Sequence, residues 1–88
     1  MRIWAKIFSD NRLLRDLVII NEDRQTTRTK KVFQALEEAC MTFDLSIPIW
    51  LDANITEFKR HAKTRFRRDS FVDSIDFDFL ELQIIEED

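Results

Sequence analysis

IDFDFLELQII, residues 75–85, is the run on which the fold turns. Its aromatic and branched residues mark a β-strand, but its alternation changes phase part-way along. Ile75, Phe77 and Phe79 share one parity, whereas Leu80, Leu82 and Ile84 share the other. One continuous apolar face therefore needs a one-residue slip at Phe79 and Leu80, and the pattern predicts a β-bulge there unless the strand is buried on both sides. Asp76 and Asp78 fall on one side of such a strand, as paired metal-binding or acid–base carboxylates would. A half-exposed strand has the same alternation, and no metal site is assigned.

The other strands lie at the opposite end of the chain. RIWAKIF (2–8) and RLLRDLVII (12–20) are rich in branched and aromatic residues and are joined by the turn formers Ser9, Asp10 and Asn11, which reads as a hairpin. With no glycine in the chain, Asp10 or Asn11 has to supply any left-handed turn residue. Ile3, Ala5 and Ile7 alternate with Arg2, Trp4, Lys6 and Phe8, so both faces of the first strand carry apolar groups. One face is expected to meet helices and the other a partner.

Between these strands the period becomes helical. Residues 21–31, NEDRQTTRTKK, are a polar connection ending near a Thr cap. From about Thr29, Val32, Leu36, Ala39 and Phe43 recur at three- and four-residue steps, with Lys30, Lys31, Gln34, Glu37 and Glu38 placed outward, until about Asp44. LSIPIWLD (45–52) holds the only proline, and Pro48 makes it an extended connector or a short edge strand, with Trp50 packing inward. A second helix begins at Asn54 with Glu57 at capping-box spacing, or at Asp52, and its apolar stripe is Ile55, Phe58, Ala62 and Phe66. The fold class is α+β: a small antiparallel sheet in ββααβ order, allowing a short extra strand near residue 49, with two helices on one face.

Composition sets the exclusions. A chain of 88 residues with 44% hydrophobic and 35% charged residues builds one domain, 1–88, with one modest core. The absence of glycine removes the standard phosphate loop, dinucleotide turn and EF-hand loop. One Cys and one His cannot assemble the usual zinc site within a protomer, and no cofactor is expected. Cys40, among apolar helix positions, reads as a small core residue. No run approaches the roughly 20 apolar residues of a membrane span, and MRIWAKIF lacks the pattern of a secretory signal, so a cytoplasmic protein without a membrane partner is expected.

The charges are unevenly spread. Residues 1–68 hold all 14 basic groups and 9 of the 17 acidic ones, and residues 69–88 hold the other 8 acidic groups. KRHAKTRFRR (59–68) contributes six of the basic groups and reads as the outer face of the second helix. Lys59, Arg60, Lys63, Arg67 and Arg68 are the candidate binding residues, for an anion or an acidic partner. A solvated helix face, or one paired with Asp69, Asp73, Asp76, Asp78 and Glu81, explains them as well, and the terminal EED reads as a solvated tail. His61 within the block offers a toxin-like ribonuclease as an enzymatic alternative, but no tyrosine shares the proton work.

The surplus of large apolar groups, eight Phe and two Trp, exceeds what one sheet face and two short helices bury, and predicts a homo-oligomer joined by a sheet face or edge. The functional expectation is a small non-catalytic interaction module that self-associates. A nucleic-acid-binding regulator using the second helix is the alternative; a pI near 5.1 argues against it.

Overall fold

The computed structural model describes all residues, Met1–Asp88. The hairpin forms as the sequence predicts, with β1 (Arg2–Ser9) paired to β2 (Arg12–Ile20). Asp10 and Asn11 both take positive φ, 52° and 63°. A two-residue loop of that hand matches the twist of paired strands, and Asp and Asn are the non-glycine residues that tolerate it best. The β1–β2 register shifts between Ile7 and Phe8, which leaves Leu14 as the extra residue of a bulge.

Helix α1 (Arg28–Phe43) is capped by Thr27, whose hydroxyl accepts from the Lys30 N–H at 3.2 Å. It ends at Asp44, left-handed at φ 58°, whose N–H donates to the carbonyls of Cys40 and Met41. Val32, Leu36, Ala39, Cys40 and Phe43 are buried along one side, as the period required. Lys31 does not face outward as expected: it is 1% exposed, its stem is packed inside, and its Nζ reaches the Asp88 carboxylate at 2.7 Å.

Helix α2 (Asp52–His61) is shorter than its apolar spacing suggested. Asn54 is not its N-cap; its side-chain oxygen accepts from the Leu51 N–H at 3.0 Å, while its amide donates to Thr64 Oγ1 (2.9 Å) and the Arg65 carbonyl (3.0 Å). Thr64 in turn donates to Glu57 at 2.6 Å. These bonds seat a strand, β3 (Lys63–Phe66), beside the helix that precedes it. Ala62 makes the reversal in a left-handed conformation, φ 53°. Ile55 is 40% exposed, so the expected stripe breaks at both ends: Phe58 is buried from α2, and Phe66 is buried from β3. The extra strand thus lies at 63–66, and the Pro48 connector contains none.

The last strand, β4 (Phe79–Glu86), lies between β1 and β3, giving a four-stranded antiparallel sheet in the order β2-β1-β4-β3. Its pairing runs without a shift from Phe79 to Ile84, which corrects the bulge expected at Phe79 and Leu80. The change of phase is made by residues 75–78, which lie outside the strand and turn Phe77 into the same core as Leu80, Leu82 and Ile84. Asp78 therefore shares no strand side with Asp76; its carboxylate accepts from the Asp10 N–H at 2.9 Å and braces the hairpin turn.

The helices and Ile3, Ala5, Ile7, Phe66, Leu80, Leu82 and Ile84 enclose the core on one side of the sheet. No helix is long and apolar enough to cross a membrane. The EED end is not a free tail. Glu86 pairs with Arg2 (3.6 Å), Glu87 with Arg28 (3.1 Å), and Asp88 with both Lys31 and the Met1 ammonium (2.7 Å each).

Candidate interaction site: the uncovered face of the sheet

Because side chains alternate along a strand, burying Ile3, Ala5 and Ile7 under the helices turns Arg2, Trp4, Lys6 and Phe8 to the other face. The register then assembles rows across the strands. Val18, Trp4, Gln83 and Lys63 stand side by side, and the next row is Asp16, Lys6, Glu81 and Arg65. Phe8 and Phe79 follow, with Leu13 opposite Phe8 on the outer strand. No secondary-structure element packs over this face.

The charged row alternates in sign across all four strands. Glu81 is its centre, with Lys6 Nζ at 2.8 Å on one side and Arg65 Nε at 3.0 Å on the other. Lys6 also donates to Gln83 Oε1 at 2.9 Å and lies 3.8 Å from the centre of the Trp4 ring. The Trp4 indole N–H donates to Asp16 at 2.9 Å, which closes the row. Although nothing covers them, Lys6 and Glu81 are only 7% and 4% exposed, because the flanking rings and long side chains shield them. Burial raises the Glu81 carboxyl, but the hydrogen bonds and charges of Lys6 and Arg65 outweigh it and hold the group below the usual carboxylate range.

The apolar part of the face is aromatic. Phe8 and Phe79 stack with centroids 5.2 Å apart, and the Arg65 guanidinium lies 4.5 Å from the Phe79 ring centre. Val18, Ile20 and Ile85 are exposed along the same side, and Trp4, Phe8 and Phe79 are half-buried. The outer strand β2 has only one neighbour, so its free edge is open as well.

The basic block does not form one helix face, because the chain leaves the helix at His61. Lys59, Arg60 and His61 end α2; Lys63 joins the uncovered sheet face; Arg67 and Arg68 follow β3, with Arg67 5.8 Å from the Phe79 ring centre. Lys59 lines a groove of about 210 Å³ between the helices, floored by Val32, Phe33, Trp50 and Phe58. Of the block, Arg65 alone forms an ion pair, and Lys59, Arg60, Lys63, Arg67 and Arg68 form none. The sequence reading of binding residues passed over Arg65 together with Trp4, Lys6, Phe8, Phe79 and Glu81. The two-residue alternation of KTRF was the available signal for Arg65, and the apolar second parity of RIWAKIF was the signal for Trp4 and Phe8.

Elsewhere the chemistry is sparse. Cys40 is buried, and that burial pushes its thiol up to about 11, so it is a protonated core group at neutral pH. No three His, Cys, Asp or Glu side chains gather as metal ligands. No protein-family model, curated protein or solved structure matches the chain.

Proposed function

We propose that the protein is a small non-catalytic interaction module that associates with itself through the uncovered face of its sheet. The supporting observation is the composition of that face: Trp4, Phe8, Phe79, Val18, Ile20 and Ile85 surround a charged row whose central pair is already withdrawn from water. Apolar surface of this kind gains from burial at about 25 cal/mol per Å². Because Lys6 and Glu81 are already desolvated in the monomer, covering them adds little to the penalty that usually opposes burying charge. The test is the mass in solution by light scattering across a concentration series. A dimer at micromolar concentration is expected, and Phe8→Gln should shift it to monomer with its circular dichroism retained. A monomer at every concentration would refute the reading.

A second reading rests on the unpaired cations Lys63 and Arg67, which flank the aromatic rings along the β3 side. Rings beside cations suit single-stranded nucleic acid, whose bases stack while its phosphates pair. Binding of a single-stranded oligonucleotide that weakens steeply with salt and is lost on replacing Lys63, Arg65 and Arg67 by Gln would favour it.

A further inference from the structure

The charged row has a symmetry that selects one arrangement of two copies; the inference rests on the self-association proposed above. Read from β2 to β3, the row is Asp16, Lys6, Glu81, Arg65, or minus, plus, minus, plus. Two identical faces can be laid together about a two-fold axis lying between them. If that axis runs across the strands through this row, each residue meets its own copy and every charge faces its like. If it runs along the strands, between β1 and β4, the row is reversed onto itself. Asp16 then lies opposite the partner's Arg65, and Lys6 opposite the partner's Glu81.

We infer that two copies pack face to face about an axis along the strands, between β1 and β4, so that each charged row meets the other in reverse. The neighbouring rows obey the same operation. The stacked Phe8 and Phe79 pair covers its own copy, Trp4 meets the partner's Gln83, and Val18 meets the partner's Lys63, whose amine reaches solvent at the rim while its stem covers the valine. Strands related this way run nearly aligned, the common geometry for two twisted sheets in contact. Four strands about 4.8 Å apart, averaging about seven residues in length at roughly 3.4 Å per residue, offer on the order of 450 Å² per copy. About 900 Å² in total lies below the usual range of stable interfaces, which marks the dimer as a weak, reversible one.

Val18 and Lys63 report on this arrangement without touching the charged row, since neither forms an ion pair and both are on the uncovered face. The single native thiol, Cys40, is buried and protonated, so the native protein gives no background. Val18→Cys and Lys63→Cys are made separately and treated with a short bismaleimide, alone and mixed, alongside light scattering of each. The expected result is a covalent dimer in the mixture and not in either variant alone. A dimer by mass that cross-links through Val18→Cys alone would place the contact at the β2 edge and overturn the arrangement while sparing self-association. A dimeric mass with no cross-link in any sample would overturn it in the same way. A monomeric wild type would defeat both, and a monomer that binds a single-stranded oligonucleotide would give the face to nucleic acid.

Discussion

On the covered side of the sheet, Ile3, Ala5, Ile7, Phe66, Leu80, Leu82 and Ile84 join one apolar cluster with the helices; on the uncovered side, the same strands present Trp4, Lys6, Phe8, Phe79, Glu81 and Arg65 to one another. The two faces differ by one step along each strand, yet they are held by different forces. The covered face is stabilised by non-directional removal of apolar area from water, which tolerates any side chains of suitable volume. The uncovered face depends on specific partners, because Glu81 is kept ionised and nearly buried only by Lys6 and Arg65. The first face supplies most of the buried apolar area, and the second is the face proposed to meet another copy.

Truncating one ring on each face should separate the two most clearly. Phe66→Ala should cost about 3–5 kcal/mol, a large share of the total for so small a domain. Phe8→Ala, on the uncovered side, should cost no more than about 2 kcal/mol. Urea melts of the two variants at a concentration that keeps both monomeric provide the check, and equal losses would make the uncovered face a second core.

Glu81→Gln tests the charged row itself, with an expected loss of about 3 kcal/mol because Lys6 is left shielded from water without its counter-charge. Replacing both members, Lys6→Met with Glu81→Leu, should bring stability back to near that of the wild type, which an area-dominated face would not require. The pH dependence follows from the depressed Glu81 carboxyl. Its contribution is complete above the unfolded value, about 4.3, and is lost as pH falls through the lower folded value. Thermal melts should therefore weaken below about pH 4.3, and Glu81→Gln should flatten that slope in part. A residual slope belongs to Asp23, lowered by the Thr26 hydroxyl, and Asp88, lowered by its hydrogen bond from Lys31.

The remaining effects are smaller. Replacing Arg60, Lys63 and Arg67 by Gln should change monomer stability by about 1 kcal/mol in total, since none of them is ion-paired, and a larger loss in urea melts would mean that the row extends to them. Ala62→Gly should stabilise by about 0.5–1 kcal/mol, because a left-handed alanine is strained by its Cβ and glycine is not. A neutral or negative result in the same melts would show that the reversal from α2 into β3 is relaxed as it stands.

The hairpin, the turn at Asp10 and Asn11, the inner side of α1 and the α+β class all follow from local pattern, because each depends on residues a few positions apart. The uncovered face was half-legible: the second apolar parity of RIWAKIF was visible, but Glu81 could be matched to Lys6 and Arg65 only once the strand order was known. KRHAKTRFRR was misread for a definite reason. Phe58, Ala62 and Phe66 recur every four residues, as in a helix, while Lys63, Thr64, Arg65 and Phe66 also alternate as in a strand, and both periods bury Phe66.

Local pattern in the chain was enough to fix one α+β domain, a first strand with apolar groups on both sides, and left-handed turn positions filled by residues other than glycine. The tertiary structure alone decided that Lys63–Phe66 is a strand, through pairing with β4 and the bonds from Asn54 to Thr64 and Arg65. It alone decided too that Asp16, Lys6, Glu81 and Arg65 form one row. Those partners lie up to 75 residues apart in the chain, Lys6 from Glu81, and a local pattern carries no information about which distant strand will lie alongside.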